Sequence, residues 1–172
     1  MHLDLPLEQL LRRTDTRFQF GFATEARELV PERDEFLLSA SHKGLHVLAR
    51  NEDSLATPVE VLRDVYGPKL EVQPPRVRLI EGVQVQEPIM HVHISLESRY
   101  AELVKRALEA RGATPTEEYT RAPYCVLRYE APLADLLGLP PELGKLTEGT
   151  AKHWIVLSHY AMVTRDPGGR AA

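Results

Sequence analysis

The chain has 172 residues, 43% of them apolar and 27% charged, with a formal net charge of −4. That length holds one domain or two small ones, and the composition is ordinary for a globular protein. Residues 1–86 carry 11 Lys/Arg against 14 Asp/Glu and residues 87–172 carry 10 against 11, so neither half is a basic body that must bind nucleic acid, although a local basic patch stays open. The single Cys125 excludes an internal disulfide framework and points to a reducing, cytoplasmic setting. No apolar run reaches membrane-spanning length, and residues 1–6 lack the basic and apolar regions of a secretory signal.

The first half is weakly patterned. Residues 17–23 alternate as Arg-Phe-Gln-Phe-Gly-Phe-Ala, which predicts a strand. A short helical stretch over 24–30 follows. Residues 35–41 and 44–50 read as a hairpin turning at His42-Lys43-Gly44. Residues 58–65 read as a helix stopped by Tyr66-Gly67-Pro68. Residues 69–80 read as a strand broken by Pro74-Pro75. The expected order is βαββαβ over residues 1–84.

The second half, residues 85–165, is patterned more strongly. Residues 88–95 alternate, with Met90, Val92 and Ile94 on one face and His91 and His93 on the other. Residues 99–111 form the clearest helix, with Tyr100, Leu103, Val104, Ala107 and Leu108 on one stripe and Gly112 as its stop. Residues 113–119 contain Pro115 and suit an edge strand. Residues 124–131 form another strand, 133–137 a short helix after Pro132, 141–146 a helical turn, and 153–163 the last strand. This is the ferredoxin-like βαββαβ order. The fold class expected is therefore α+β, two such sandwiches with antiparallel sheets and helices on one face, followed by a disordered tail over 166–172. Met90, Val92, Ile94, Leu103, Val104, Leu108, Leu127, Ile155 and Leu157 are the expected core of the second.

Candidate chemistry is sparse. The segment Gly138-Leu-Pro-Pro-Glu-Leu-Gly144-Lys145 has five residues between its glycines where a phosphate loop has four. Leu146 stands where a Mg²⁺-binding hydroxyl belongs. His91 and His93 share a strand face, but no third metal ligand converges on them. His153 and His159 fall on the inward alternation. Cys125 has no orienting acid near it in sequence and reads as a packed thiol. No cofactor, metal or catalytic residue is expected. In this fold the helices leave one sheet face bare, and alternation places His91, His93, Trp154, Val156 and Arg128 on it. These five are the candidate interface. Histidines there would make a contact sensitive to pH near their ordinary range.

Two strands carry a resemblance. Glu87-Pro88-Ile89-Met90 opens the second half. Thr147-Glu148-Gly149-Thr150-Ala151 turns into a strand that runs to Ser158-His159-Tyr160. Together with Ala131-Pro132-Leu133-Ala134-Asp135 they resemble the C-terminal domain, domain V, of the elongation factor G family of translational GTPases, from residue 87 to 163. In the first half, Gly44-Leu45-His46-Val47, Val61-Leu62-Arg63-Asp64-Val65-Tyr66-Gly67 and Pro74-Pro75-Arg76-Val77-Arg78 are similar to segments of the family's domain III. The departures are an extra stretch over 49–57 and a shortened first helix. The resemblance implies a chain without the GTPase domain and without domain IV, for which 82–86 leaves no room. It implies a non-catalytic, translation-factor-like protein. Its partner would be the ribosome (rRNA or a ribosomal protein), another translation factor, or a second copy of the chain, with no membrane involved. The alternative is a small ferredoxin-like regulatory or assembly module that binds a small ligand or a protein through its open sheet.

Overall fold

A computed structural model describes residues 2–164, and the expected tail over 166–172 lies outside them. The fold divides between Arg78 and Leu79 into two compact units.

The first unit runs β1 (Leu7–Arg13), α1 (Gln19–Leu29), β2 (Phe36–Ser41), β3 (Gly44–Ala49), α2 (Glu52–Tyr66), β4 (Leu70–Val72) and β5 (Arg76–Val77). Its sheet is ordered β2-β3-β1-β4, with β5 also pairing β1, and every pairing is antiparallel. Leu7 and Leu11 of β1 and Leu45, Val47 and Ala49 of β3 are buried with Phe22, Ala23 and Ala26 of α1 and Leu62 of α2. One sheet face is thus sealed by both helices. On the other, Glu8 Oε1 lies 2.7 Å from His46 Nδ1, and His46 Nε2 lies 2.6 Å from Ser41 Oγ. This row laces β1, β3 and β2 together. The Lys43 N–H donates to the same Ser41 hydroxyl at 3.1 Å.

Three expectations for this unit are corrected. Residues 17–23 are not a strand, because Gln19–Leu29 is helical. Phe18 and Phe20, whose alternation with Phe22 read as a strand, are 82% and 53% exposed. The buried set is Phe22, Ala23, Ala26 and Val30, which has helical spacing. Gln19 secures the entry by accepting from Arg13 N–H at 3.0 Å and donating to Arg13 O and Thr16 O at 2.8 Å each. Next, α2 begins six residues before Pro58. Asn51 caps it by accepting from Ser54 N–H at 3.0 Å, so the stretch over 49–57 includes the first turns of the helix. Finally, the sheet contains β1, a strand the periodicity did not announce. Its inward set Leu7, Gln9 and Leu11 includes a polar residue whose Nε2 donates to Gln73 O at 2.9 Å.

The second unit runs β6 (Gln86–Glu97), a 3-10 turn (Ser98–Tyr100), α3 (Ala101–Ala110), β7 (Thr114–Arg121), β8 (Tyr124–Pro132), α4 (Leu133–Leu136), α5 (Leu139–Leu146) and β9 (Lys152–Met162). Its sheet is antiparallel and ordered β7-β8-β6-β9. The first and third strands of the unit are central, and Pro115 lies on an edge where its missing donor costs no ladder bond. Both units therefore share the ferredoxin-like α+β topology.

Met90, Val92, Ile94, Val104, Leu108, Leu127 and Ile155 are buried and Leu157 is half-buried. Leu103 is not core, being 46% exposed. The buried stripe is Tyr100, Ala101, Val104 and Leu108. At about 100° per residue, Leu103 lies roughly 110° round the helix from the middle of that stripe. Arg111 closes this helix against the segment after β8. It donates to Asp135 O at 3.0 Å, to Leu137 O at 2.8 Å and, through Nε and Nη2, to Glu142 Oε2. Lys105 Nζ lies 2.6 Å from Glu118 Oε1, tying α3 to β7, and that carboxylate holds the ammonium above the usual lysine range.

Candidate functional site

Strand period fixes what the second sheet offers to solvent. Met90, Val92, Ile94 and Leu96 of β6 turn to the helices, so Ile89, His91, His93 and Ser95 turn away from them. Antiparallel register then sets two rows across the strands. His93 stands between Arg128 of β8 and Trp154 of β9, and His91 between Glu130 of β8 and Val156 of β9. Glu117 of β7 continues the first row beside Arg128.

The structure brings His91, His93, Trp154, Val156 and Arg128 together around one depression of about 420 Å³. The His93 and Trp154 rings meet edge to face, with centroids 5.1 Å apart and planes at 83°. Arg128 Nη1 donates to Glu117 Oε2 at 2.9 Å, and His91 Nδ1 lies 3.8 Å from Glu130 Oε2. Trp154 and Val156 remain 51% and 53% exposed. Tyr129 lines the same depression but is itself buried, and burial pushes its phenol above the ordinary range. A smaller hollow of about 160 Å³ continues toward Tyr119 and Val126. Tyr119 and Tyr124 are 59% and 61% exposed. The surface offers ring edges, an aliphatic floor and one guanidinium. Such a face suits docking of a planar or amphipathic partner group.

Sequence reasoning did not find Glu117 and Thr116. The β7 register slips between Pro115 and Glu117, and a bulge of that kind leaves no trace in the alternation that placed the other residues. A second slip corrects His159. The β6–β9 pairing shifts between Ile89 and Met90, so His159 stands opposite Ile89 on the open face and is exposed. His153, opposite Ile94, is half-buried on the helix side.

The other motifs resolve plainly. Residues 139–146 of the glycine-bounded segment form α5, entered through Gly138 at φ +84°. Cys125 is buried, with Thr120 Oγ1 3.8 Å from its sulfur. Among the described residues no group of three or more His, Cys, Asp or Glu could hold a metal ion. Nor is any described helix long and apolar enough to cross a membrane.

The molecule is thus a pair of βαββαβ units, the second with a bare aromatic sheet face. Residues 84–170 match the family model of the elongation factor G C-terminus, and the chain belongs to that family. It is also similar to a protein of Thermus thermophilus known from its crystal structure. The TM-score is 0.67 at 16% identity, over 91% of this chain and 40% of that one. At that identity the likeness concerns the fold, and this chain spans about two-fifths of the length of its structural relative.

Proposed function

We propose that this chain is a non-catalytic, translation-factor-like protein. It binds the ribosome, through rRNA or a ribosomal protein, or a partner translation factor, and it has no GTPase activity. The observation that carries this reading is the family match over residues 84–170. The bare face built from His91, His93, Trp154, Val156 and Arg128 is the surface assigned to the contact. The two units act as binding modules in the cytoplasm. No phosphate loop stands in these 172 residues, and the one glycine-bounded candidate contains a helix.

Two measurements test this. Purified protein should pellet with ribosomal subunits at low salt and be released at moderate salt, as contacts between cations and rRNA phosphates require. A labelled GTP analogue should not be retained by the protein, and tight retention would contradict the reading. The second reading, a regulatory or assembly module with a protein partner, draws on the net charge of −4 and on Arg128 being engaged by Glu117. Failure to pellet under any salt condition would favour it.

A further inference from the structure

β2 lies at one edge of the first sheet, and among the described residues its sheet neighbour is β3 alone. Its residues, Phe36-Leu37-Leu38-Ser39-Ala40-Ser41, include no charge and no proline, the usual protections of an edge. All of them pair with β3 without a slip. Arg50 N–H donates to Glu35 O at 3.1 Å, which makes this a hydrogen-bonded pair and fixes the alternation along the strand. Leu37, Ser39 and Ser41 then bond to β3, while Phe36, Leu38 and Ala40 turn their backbone groups to the outer edge. Arg33 O takes the Phe36 N–H at 3.5 Å. Leu38 and Ala40 stand as a template for another strand.

The surroundings of this edge are complementary to themselves. Asp34 and Glu35 precede β2, His42 and Lys43 follow it, and all four are exposed. On the helix side, Phe20 and Arg27 of α1 are seven residues apart and so share a flank. Phe20 is 53% exposed, and its ring lies 5.9 Å from that of His42. Toward the other end of β2, Arg27, Val30, Phe36 and Leu38 help to line a hollow of about 750 Å³.

We infer that a second copy of this chain adds to β2 at this edge, antiparallel, about a twofold axis at Ser39. This register sets Leu38 of each copy opposite Ala40 of the other, so both outward-facing residues exchange backbone hydrogen bonds. It brings the basic turn of each copy to the acidic approach of the other, with Lys43 level with Glu35, twice per dimer. The axis is perpendicular to the sheet, so both α1 helices lie on one side. Phe20 of each copy then faces the hollow of the other, on the side of the Arg27 guanidinium.

Glu35 and Lys43 stand at opposite ends of β2 within one copy, so a charge exchange between them can be compensated only across the axis. Sedimentation equilibrium of the full chain should show a reversible dimer. Lys43→Glu and Glu35→Lys should each weaken it about fivefold or more, and the two together should restore it to within about threefold of the wild type. Ser39 meets its own copy in a non-hydrogen-bonded pair, where Cα atoms approach to about 4.5 Å. Ser39→Cys should therefore give a disulfide-linked dimer under mild oxidation, and Leu37→Cys should not. The native Cys125 is buried. Far-UV circular dichroism reports whether each variant is folded, and the two cysteine variants carry the test if a charge variant is not. A wild-type chain still monomeric at about 100 μM overturns the inference. So does a folded double variant no tighter than the single ones, or equal crosslinking from positions 37 and 39.

Discussion

Ile94→Ala is expected to destabilise the second unit by about 2–5 kcal/mol, and Leu103→Ala by less than about 1 kcal/mol. Ile94 is fully buried on β6, a strand flanked on both sides in its sheet. Truncating it removes transfer energy and leaves a cavity in the packed interior. Leu103 belongs to the same hydrophobic vocabulary but is 46% exposed, so its truncation removes little from the packed interior. The contrast separates the helix stripe observed from the one inferred by spacing. Denaturant unfolding followed by the lone Trp154, which belongs to this unit, measures both. Equal losses at the two positions would show that α3 turns a different face to the sheet.

Gly44→Ala should be the most damaging single-methyl change in the first unit, with a loss of about 3 kcal/mol or more. Gly44 opens β3 with φ at +141°, a conformation that side chains rarely adopt. A Cβ built there would lie 2.3 Å from the carbonyl oxygen of Leu11 and 3.1 Å from Arg12 Cγ. The nearer of these is backbone in the middle of the sheet, where Leu11 pairs with Leu45 and Val72. It cannot yield without disturbing both ladders. Gly67, at φ +57° with nothing within 4 Å of its Cβ position, provides the comparison. Gly67→Ala meets backbone strain but no clash, so it should cost clearly less. Thermal unfolding by far-UV circular dichroism ranks the two, and the reverse order would contradict the packing at the start of β3.

What could be read in advance followed from how strictly each segment kept one period. The alternation of Met90, Val92 and Ile94 against His91 and His93 has one explanation, a strand with a buried face. The register then carried Arg128, Trp154 and Val156 onto the open side. Pro115 marked its edge for the same kind of reason. Phe18, Phe20 and Phe22 misled because alternation is also what a helix shows when two exposed aromatics chance to precede a buried one. The start of α2 was missed because the Asn51 side chain sets it, and a cap outweighs the pull of Pro58 toward a first-turn position. His159, Thr116 and Glu117 were out of reach for another reason. A bulge changes which face every later residue takes, and it is decided by the neighbouring strand. The family likeness was legible in Glu87-Pro88-Ile89-Met90 and Ser158-His159-Tyr160, which stand against each other at one end of the antiparallel pairing of β6 with β9.

The central claim is that the bare face of the second sheet is where a translation partner docks. Its most direct test is a pelleting assay with ribosomes, comparing the wild-type chain with a Trp154→Ala, Arg128→Ala variant. Both side chains are about half exposed and lie outside the buried core, so the variant should keep its fold by circular dichroism. Wild-type protein should pellet, and the folded variant should bind at least about tenfold more weakly. A folded variant that pellets as well as the wild type would contradict the claim.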